Sequence, residues 1–161
     1  MIEDTQYVQG AKKLSKRIAT LRRNLSLPPL LDEIGALLYR RTMDRFEREV
    51  TPNYAPWAEL KPSTLRRKAA LGYGDKQKLE RTGALKKAIQ IIRGRADGGT
   101  FTNTGAGFRI GIVDPEIAEY ATRQNNGDSR IPARRFLGIA ALDVKAVDSL
   151  LRRKAKQAER A

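Results

Sequence analysis

PLLDEIGALLYRRTMDRFEREV, residues Pro29 to Val50, carries two apolar stripes at helical spacing. Leu30, Ile34, Leu37 and Leu38 make one; Tyr39, Met43, Phe46 and Val50 make the other on nearly the opposite side. A helix that is apolar on two sides is buried on two sides. Two arrangements achieve that: both stripes pack inside one small domain, or one of them faces another subunit. Pro28 and Pro29 suit the opening of this helix, because the first turn does not use the donor that proline lacks. Thr51, Pro52 and Asn53 close it.

Upstream, Leu14, Ile18, Leu21 and Leu25 predict an amphipathic basic helix from about Thr5 to Asn24. Downstream, Tyr54 to Pro62 is an extended segment in which Trp57 plugs the core. Pro62-Ser63-Thr64 starts a short basic helix through about Ala70, with Ser63 or Pro62 near its cap. Leu71 to Asp75 is a mobile loop, and Thr82 caps a helix from Gly83 to about Ala88. Strands are expected at Ile89–Arg95, Thr100–Thr104 and Phe108–Val113, divided by Asp97-Gly98-Gly99 and Gly105-Ala106-Gly107. Asp114-Pro115 opens a helix from Glu116 to about Arg123, and Gln124 to Arg130 is a loop that could order on assembly. Pro132 keeps Ile131 to Leu137 extended. A last amphipathic helix presents Ile139, Leu142, Ala146 and Leu150, and its charged end frays. The expected fold is a single α+β domain: N-terminal helices, a small antiparallel sheet in the middle and a C-terminal helix. Residues 1–27 form a basic N-terminal extension, 28–151 the main domain and 152–161 a charged tail.

Composition agrees with one domain of 161 residues. Hydrophobic residues are 40%, charged residues 31% and aromatics 6%, which implies a thin core under much solvated surface. No apolar run approaches bilayer length and no secretory signal opens the chain, so a soluble protein used in a cytoplasm, with no membrane partner, is expected. Thirty-two basic against 18 acidic residues give +14, which attracts polyanions. Basic residues gather at Lys12–Arg23, at Lys61–Arg95 and beyond Arg130, whereas Asp32, Glu33, Asp44, Glu47, Glu49 and Glu59 crowd the intervening stretch. Three accounts fit: solvated helix faces, a surface for nucleic acid, or basic-to-acidic pairing between subunits. A nucleic-acid face would use Lys12, Lys13, Lys16, Arg17, Arg66, Arg67 and Lys68.

Catalytic chemistry finds no footing. There is no histidine to act as general base or metal ligand, and no cysteine for thiolate sites or disulfides. GYG, DGGT and TGAGF lack the strand-and-helix setting of a phosphate loop, and hairpin turns explain them. The paired carboxylates Asp32/Glu33, Asp44/Glu47 and Asp114/Glu116 have no convergent partner set. No cofactor, no metal and no enzymatic activity are expected.

What stands out is an ordered set of motifs: RFEREVTP (Arg45–Pro52), PWAELKPSTLRRK (Pro56–Lys68), LERTGALKKAI (Leu79–Ile89) and IPARRFLGI (Ile131–Ile139). Each joins aromatic or proline anchors to arginines and lysines. In this order they resemble the phage virion morphogenesis, or tail-completion, proteins of Mu-like and other tailed phages. The resemblance rests on Trp57, Leu60, Thr64, Leu65 and Lys68, then Thr82, Gly83 and Leu85, then Ile131 to Gly138, and covers about Leu30 to Leu151. Two departures stand out: Arg135 occupies the position of the family's second proline, and EIAEYATRQNNG lacks the family's usual histidine. The N-terminal basic helix lies outside the clearest resemblance.

The resemblance implies a structural virion protein, located in the neck or tail and assembled in the host cytoplasm. It would act in tail completion or head–tail joining as one subunit of a ring, a hexamer in related neck proteins, serving as tail terminator or connector. Its partners would be other copies, further neck, tail-tube or connector proteins, and packaged DNA in the channel. Tyr39, Met43, Phe46, Trp57, Arg134, Arg135, Phe136 and Leu137 would form the assembly interface, with Phe136 and Leu137 as anchors and Arg134 and Arg135 pairing with carboxylates of the same or the next subunit. Phe136 could equally be ordinary core. The competing function is a stand-alone basic DNA-binding protein, although no helix-turn-helix, zinc finger or stacking pattern is present to read bases.

Overall fold

The computed structural model describes residues 27–97, 100–102 and 107–158. The predicted helix at Thr5–Asn24, with Lys12, Lys13, Lys16 and Arg17, lies outside them. Helix α1 (Leu27–Arg48) is the two-striped helix. It stops where Glu49 takes the left-handed conformation at φ 54, so that Val50 N–H reaches the Arg45 carbonyl at 3.0 Å. Thr51 N–H then donates to the Ala55 carbonyl at 2.8 Å, and Trp57 N–H to the Glu49 carbonyl at 2.7 Å. This tight reversal brings Trp57 back against the end of α1.

Helix α2 (Pro62–Ala70) begins at Pro62, as the sequence predicts. Lys61 is its N-cap, with no side-chain hydrogen bond, and Pro62 fills the first turn. The loop after it is tied down, because Lys68 Nζ donates to the carbonyls of Lys76 and Gln77. Helix α3 (Ala84–Ala88) is capped by Gly83 at φ 76 in place of Thr82, whose hydroxyl accepts from Ala84 N–H at 3.4 Å.

The first predicted strand breaks in two at Gly94, whose φ of 154 turns the backbone. Strand β1 (Ile89–Arg93) pairs with β4 (Phe108–Ile112), while β2 (Arg95–Asp97) pairs antiparallel with β3 (Thr100–Thr102). The β2–β3 register sets Arg95 opposite Thr102 and Asp97 opposite Thr100. Helix α4 (Pro115–Asn126) outruns its predicted end and takes in Gln124, Asn125 and Asn126. Asp114 caps it, accepting from Glu116 N–H at 3.0 Å and Ile117 N–H at 3.1 Å. Helix α5 (Ala141–Ala158) includes Arg152, Arg153 and Lys154, so the start of the expected charged tail is helical.

The α+β class holds, with the small sheet midway and a helix at the C-terminal side. Contacts gather the chain into two compact units. One takes residues up to Arg41, Ile91–Ile110 and Gly138 onward; the other takes Thr42–Gln90 and Gly111–Leu137. In the first unit Leu30, Ile34 and Leu38 of α1 pack with Val147, Leu150 and Leu151 of α5, flanked by Phe108, Ile110 and Ile139. Burial of each such side chain is worth about 1.5–3 kcal/mol. The predicted face of α5 is corrected: Val144, Val147, Leu150 and Leu151 point inward, and Leu142 is 45% exposed. Asp143 fixes that rotation. Its side chain accepts from Ala140 N–H at 2.8 Å and from Arg41 Nε at 2.6 Å, and it is fully buried.

Candidate functional site

The four motifs, apart from Gly138 and Ile139 at the end of the last one, lie in the second unit, and they meet each other. Phe46, Trp57 and Phe136 are 1%, 2% and 0% exposed. The Phe46 ring stands edge-on to Trp57 with centroids 5.5 Å apart, and lies 5.1 Å from Phe136. Around the rings, guanidinium and indole donors hold backbone carbonyls. Arg45 Nη1 donates to the Phe136 carbonyl at 3.2 Å, and Trp57 Nε1 to the Arg135 carbonyl at 3.0 Å. Arg134 donates to the carbonyls of Ala58 and Glu59, each at 2.9 Å. Asn125 Oδ1 accepts from the N–H groups of Phe136 and Leu137 at 3.0 and 2.9 Å. The extended segment Ile131–Leu137 carries no ladder of its own, so these side chains satisfy its backbone.

Of the eight residues expected at an assembly interface, four are engaged inside the chain. Phe46, Trp57, Phe136 and Arg134 lie buried within the chain itself; Tyr39, Met43, Arg135 and Leu137 are half-buried. Trp57 is the core plug that the sequence predicts. Arg134 binds carbonyls and no carboxylate. Sequence reasoning misses Arg45, because a buried arginine in a basic protein looks like any surface arginine. It also misses Asn125, which it places in a loop.

Carboxylates of the acid-rich stretch are used locally. Lys78 Nζ lies 2.9 Å from both Glu49 and Glu59, and Lys86 pairs with Glu47. Asp44 pairs with Arg48, and in the first unit Asp32 pairs with Arg93 and Glu33 with Lys154. All six acids singled out for intersubunit pairing thus have intrachain partners. Burial alone would raise the Glu49 pKa, but hydrogen bonds from the Lys78 ammonium and N–H outweigh it and hold the carboxyl below its usual range. Burial would lower the Lys78 pKa, and its bonds to Glu59 and Glu49 reverse the sign.

The loop after α4 is ordered by its own bonds and does not wait for assembly. Gly127 sits at φ 74, and Asp128 Oδ1 accepts from the N–H groups of Arg130 and Ile131 at 2.7 and 2.8 Å. Those two bonds hold the Asp128 carboxyl below its usual range. This loop forms one wall of an open cleft of about 410 Å³. Lys61, Arg67, Lys68, Arg81, Arg130 and Arg134 line it, with Glu80 as its acid and Tyr120 at its edge. Arg66 and Arg67 are exposed, as a nucleic-acid face requires, whereas Lys68 is half-buried and turned to the carbonyls of its own loop. Helix α2 buries none of its residues; Leu65 is 50% exposed and Leu71, just after it, 51%. Among the described residues no group of acids could hold a metal ion, and no helix is long and apolar enough to cross a membrane.

The profile of the phage virion morphogenesis family matches residues 3–156. The chain belongs to that family. No curated protein and no solved structure matches it. Membership makes it a phage structural or assembly protein associated with the virion. The match also takes in the N-terminal basic stretch, which the motif resemblance leaves outside. In this virion morphogenesis protein the motif residues Phe46, Trp57, Arg134 and Phe136 build the frame of the second unit.

Proposed function

We propose that this protein completes the tail or joins it to the head, as one subunit of a neck ring, a hexamer, acting as tail terminator or connector. Family membership supplies the setting. The observation that carries the reading is α2, a helix with no fully buried residue, where Leu65 and Leu71 stand half exposed beside Arg66 and Arg67. Isolated helices this short are unstable in water, so a helix without a fully buried residue is suited to cover by a neighbour. In a closed ring the neighbour is the next copy, contacted through a different patch. Other neck, tail-tube or connector proteins would then stack on the ring.

Light scattering on the purified protein tests this, with the double variant Leu65→Asp, Leu71→Asp as control. The wild type should run as a closed oligomer and the variant as a folded monomer, and phage carrying the variant should lack joined tails. A wild-type monomer under all conditions, or a variant that still assembles working particles, overturns the reading.

The exposed Arg66 and Arg67 favour a second reading, a basic protein that binds DNA by itself. Its mark would be tight binding to free DNA that collapses with salt.

A further inference from the structure

The cleft beside Tyr120 has a property that the ring reading does not use. Three of its cations, Lys61, Lys68 and Arg134, are oriented by backbone carbonyls. Arg134, only 4% exposed, gives two of its donors to the carbonyls of Ala58 and Glu59 and contacts no carboxylate. A guanidinium carries five donors in a fixed fork, so three remain for the cleft that Arg134 lines. Lys61 Nζ donates to the Arg130 carbonyl at 3.2 Å, and Lys68 Nζ to those of Lys76 and Gln77. These bonds fix positions without cancelling charge. Elsewhere in the chain the pattern is opposite: the six acids of the 32–59 stretch each sit on a lysine or arginine. Glu80 is the one acid lining the cleft, and Glu59 and Asp128 act from nearby on Arg134 and Arg130, so the six cations outnumber their acids and leave an excess of positive charge held in place.

The floor of the cleft is apolar. Leu60, Leu79, Ile131 and Pro132 supply it, and Leu79 is held at φ 60, a left-handed conformation that a non-glycine residue seldom adopts. A second hollow of about 330 Å³ shares Leu79, Arg81 and Tyr120 with the cleft, and Leu85 and Ile117 line it together with Thr82 and Glu116. Its apolar side chains lie next to the basic cleft.

We propose that this groove docks an extended acidic segment of a partner protein, its carboxylates on Arg67, Arg130 and Arg134 and an apolar side chain beyond Tyr120. Size and lining favour a peptide over nucleic acid. The cleft has the volume of a small-ligand site, which a peptide of a few residues fills and the convex wall of a duplex does not enter. Tyr120 is the one aromatic lining either hollow, too little to stack successive bases. A second copy is a poor donor, because the acid-rich stretch of this chain is already paired. The inference deepens the assembly reading by naming the chemistry of one partner.

The test uses the full chain and a fluorescein-labelled peptide of glutamates interrupted by leucines, read by anisotropy. Arg67→Glu and Arg130→Glu alter exposed side chains and should leave the fold intact by circular dichroism. Each should weaken peptide binding at least about tenfold, whereas Arg152→Glu, an exposed charge on α5 outside the groove, should change it less than about twofold. An all-glutamate peptide without leucines should bind more weakly than the mixed one. Equal weakening by all three variants would show general attraction to a basic protein and sink the proposal. So would a single-stranded or duplex oligonucleotide that displaces the peptide and loses its own affinity in the two groove variants alone. Scattering on the same samples keeps the two readings apart: a ring that ignores the peptide overturns the groove only, and a monomer that binds it overturns the ring only.

Discussion

At residue scale the arginines divide by what they touch. Arg45 and Arg134 are buried and serve backbone carbonyls, and Arg41 holds the buried Asp143. Arg66 and Arg67 are exposed. Spacing in the sequence does not distinguish them, since every arginine there carries the same charge. Phe136 is 0% exposed against Phe46, so Phe136→Ala should lower unfolding free energy by about 3–5 kcal/mol in urea titration, whatever its effect on assembly. The pair of Glu49 and Lys78 gives a pH signature with two opposite signs. The Glu49 pKa is depressed in the fold, so its contribution is complete above the unfolded value near 4.5 and is lost as pH falls through the folded value. The Lys78 pKa is raised, so its contribution is complete below about 10.5 and is lost as pH climbs through the folded value. Glu49→Gln should therefore cost about 1–2 kcal/mol at neutral pH. Its stability curve should converge with the wild type as pH falls from 4.5 through the folded Glu49 value; curves that stay parallel over the whole acid limb would remove Glu49 from the account.

At the scale of elements, most helices are legible because apolar periodicity and proline openings act locally. Helix α1, α2 and the start of α4 fall within a few residues of expectation. The misses have tertiary causes. Helix α4 runs on through Gln124–Asn126 because Asn125 is needed on the Phe136 backbone and Gln124 accepts from Arg134 N–H at 2.8 Å. The strand at 89–95 splits because Gly94 allows a backbone turn, after which each half finds a different partner. The loop that follows α4 depends on Gly127. A Cβ there would lie 2.7 Å from Ala133 N, at a φ of 74. Gly127→Ala should cost at least about 2 kcal/mol and lower Tm by roughly 4–8 °C. Calorimetry reads the shift, and an unchanged Tm would mean that the loop is held by something other than this close approach.

For the whole molecule, net charge and exposed apolar side chains pull salt dependence in opposite directions. Copies carrying +14 repel, and added salt screens that repulsion, so a ring held through Leu65 and Leu71 should gain population as ionic strength rises. DNA binding has the other slope, because salt competes with phosphate contacts. Sedimentation across a salt series separates the two, and an oligomer that dissolves with salt would point to charge pairing between subunits. By itself the sequence determined the α+β class, the family and the absence of a histidine- or thiolate-based site, because periodicity, motif order and residue type are local properties. Only the tertiary structure decided that the aromatic and arginine anchors join one another within the chain, that the acids of the 32–59 stretch are paired at home, and that cations outnumber acids in one groove. Those outcomes depend on which distant side chains come within hydrogen-bonding reach, such as Trp57 and Arg135 or Arg134 and Ala58, and a linear order of residues does not contain that distance.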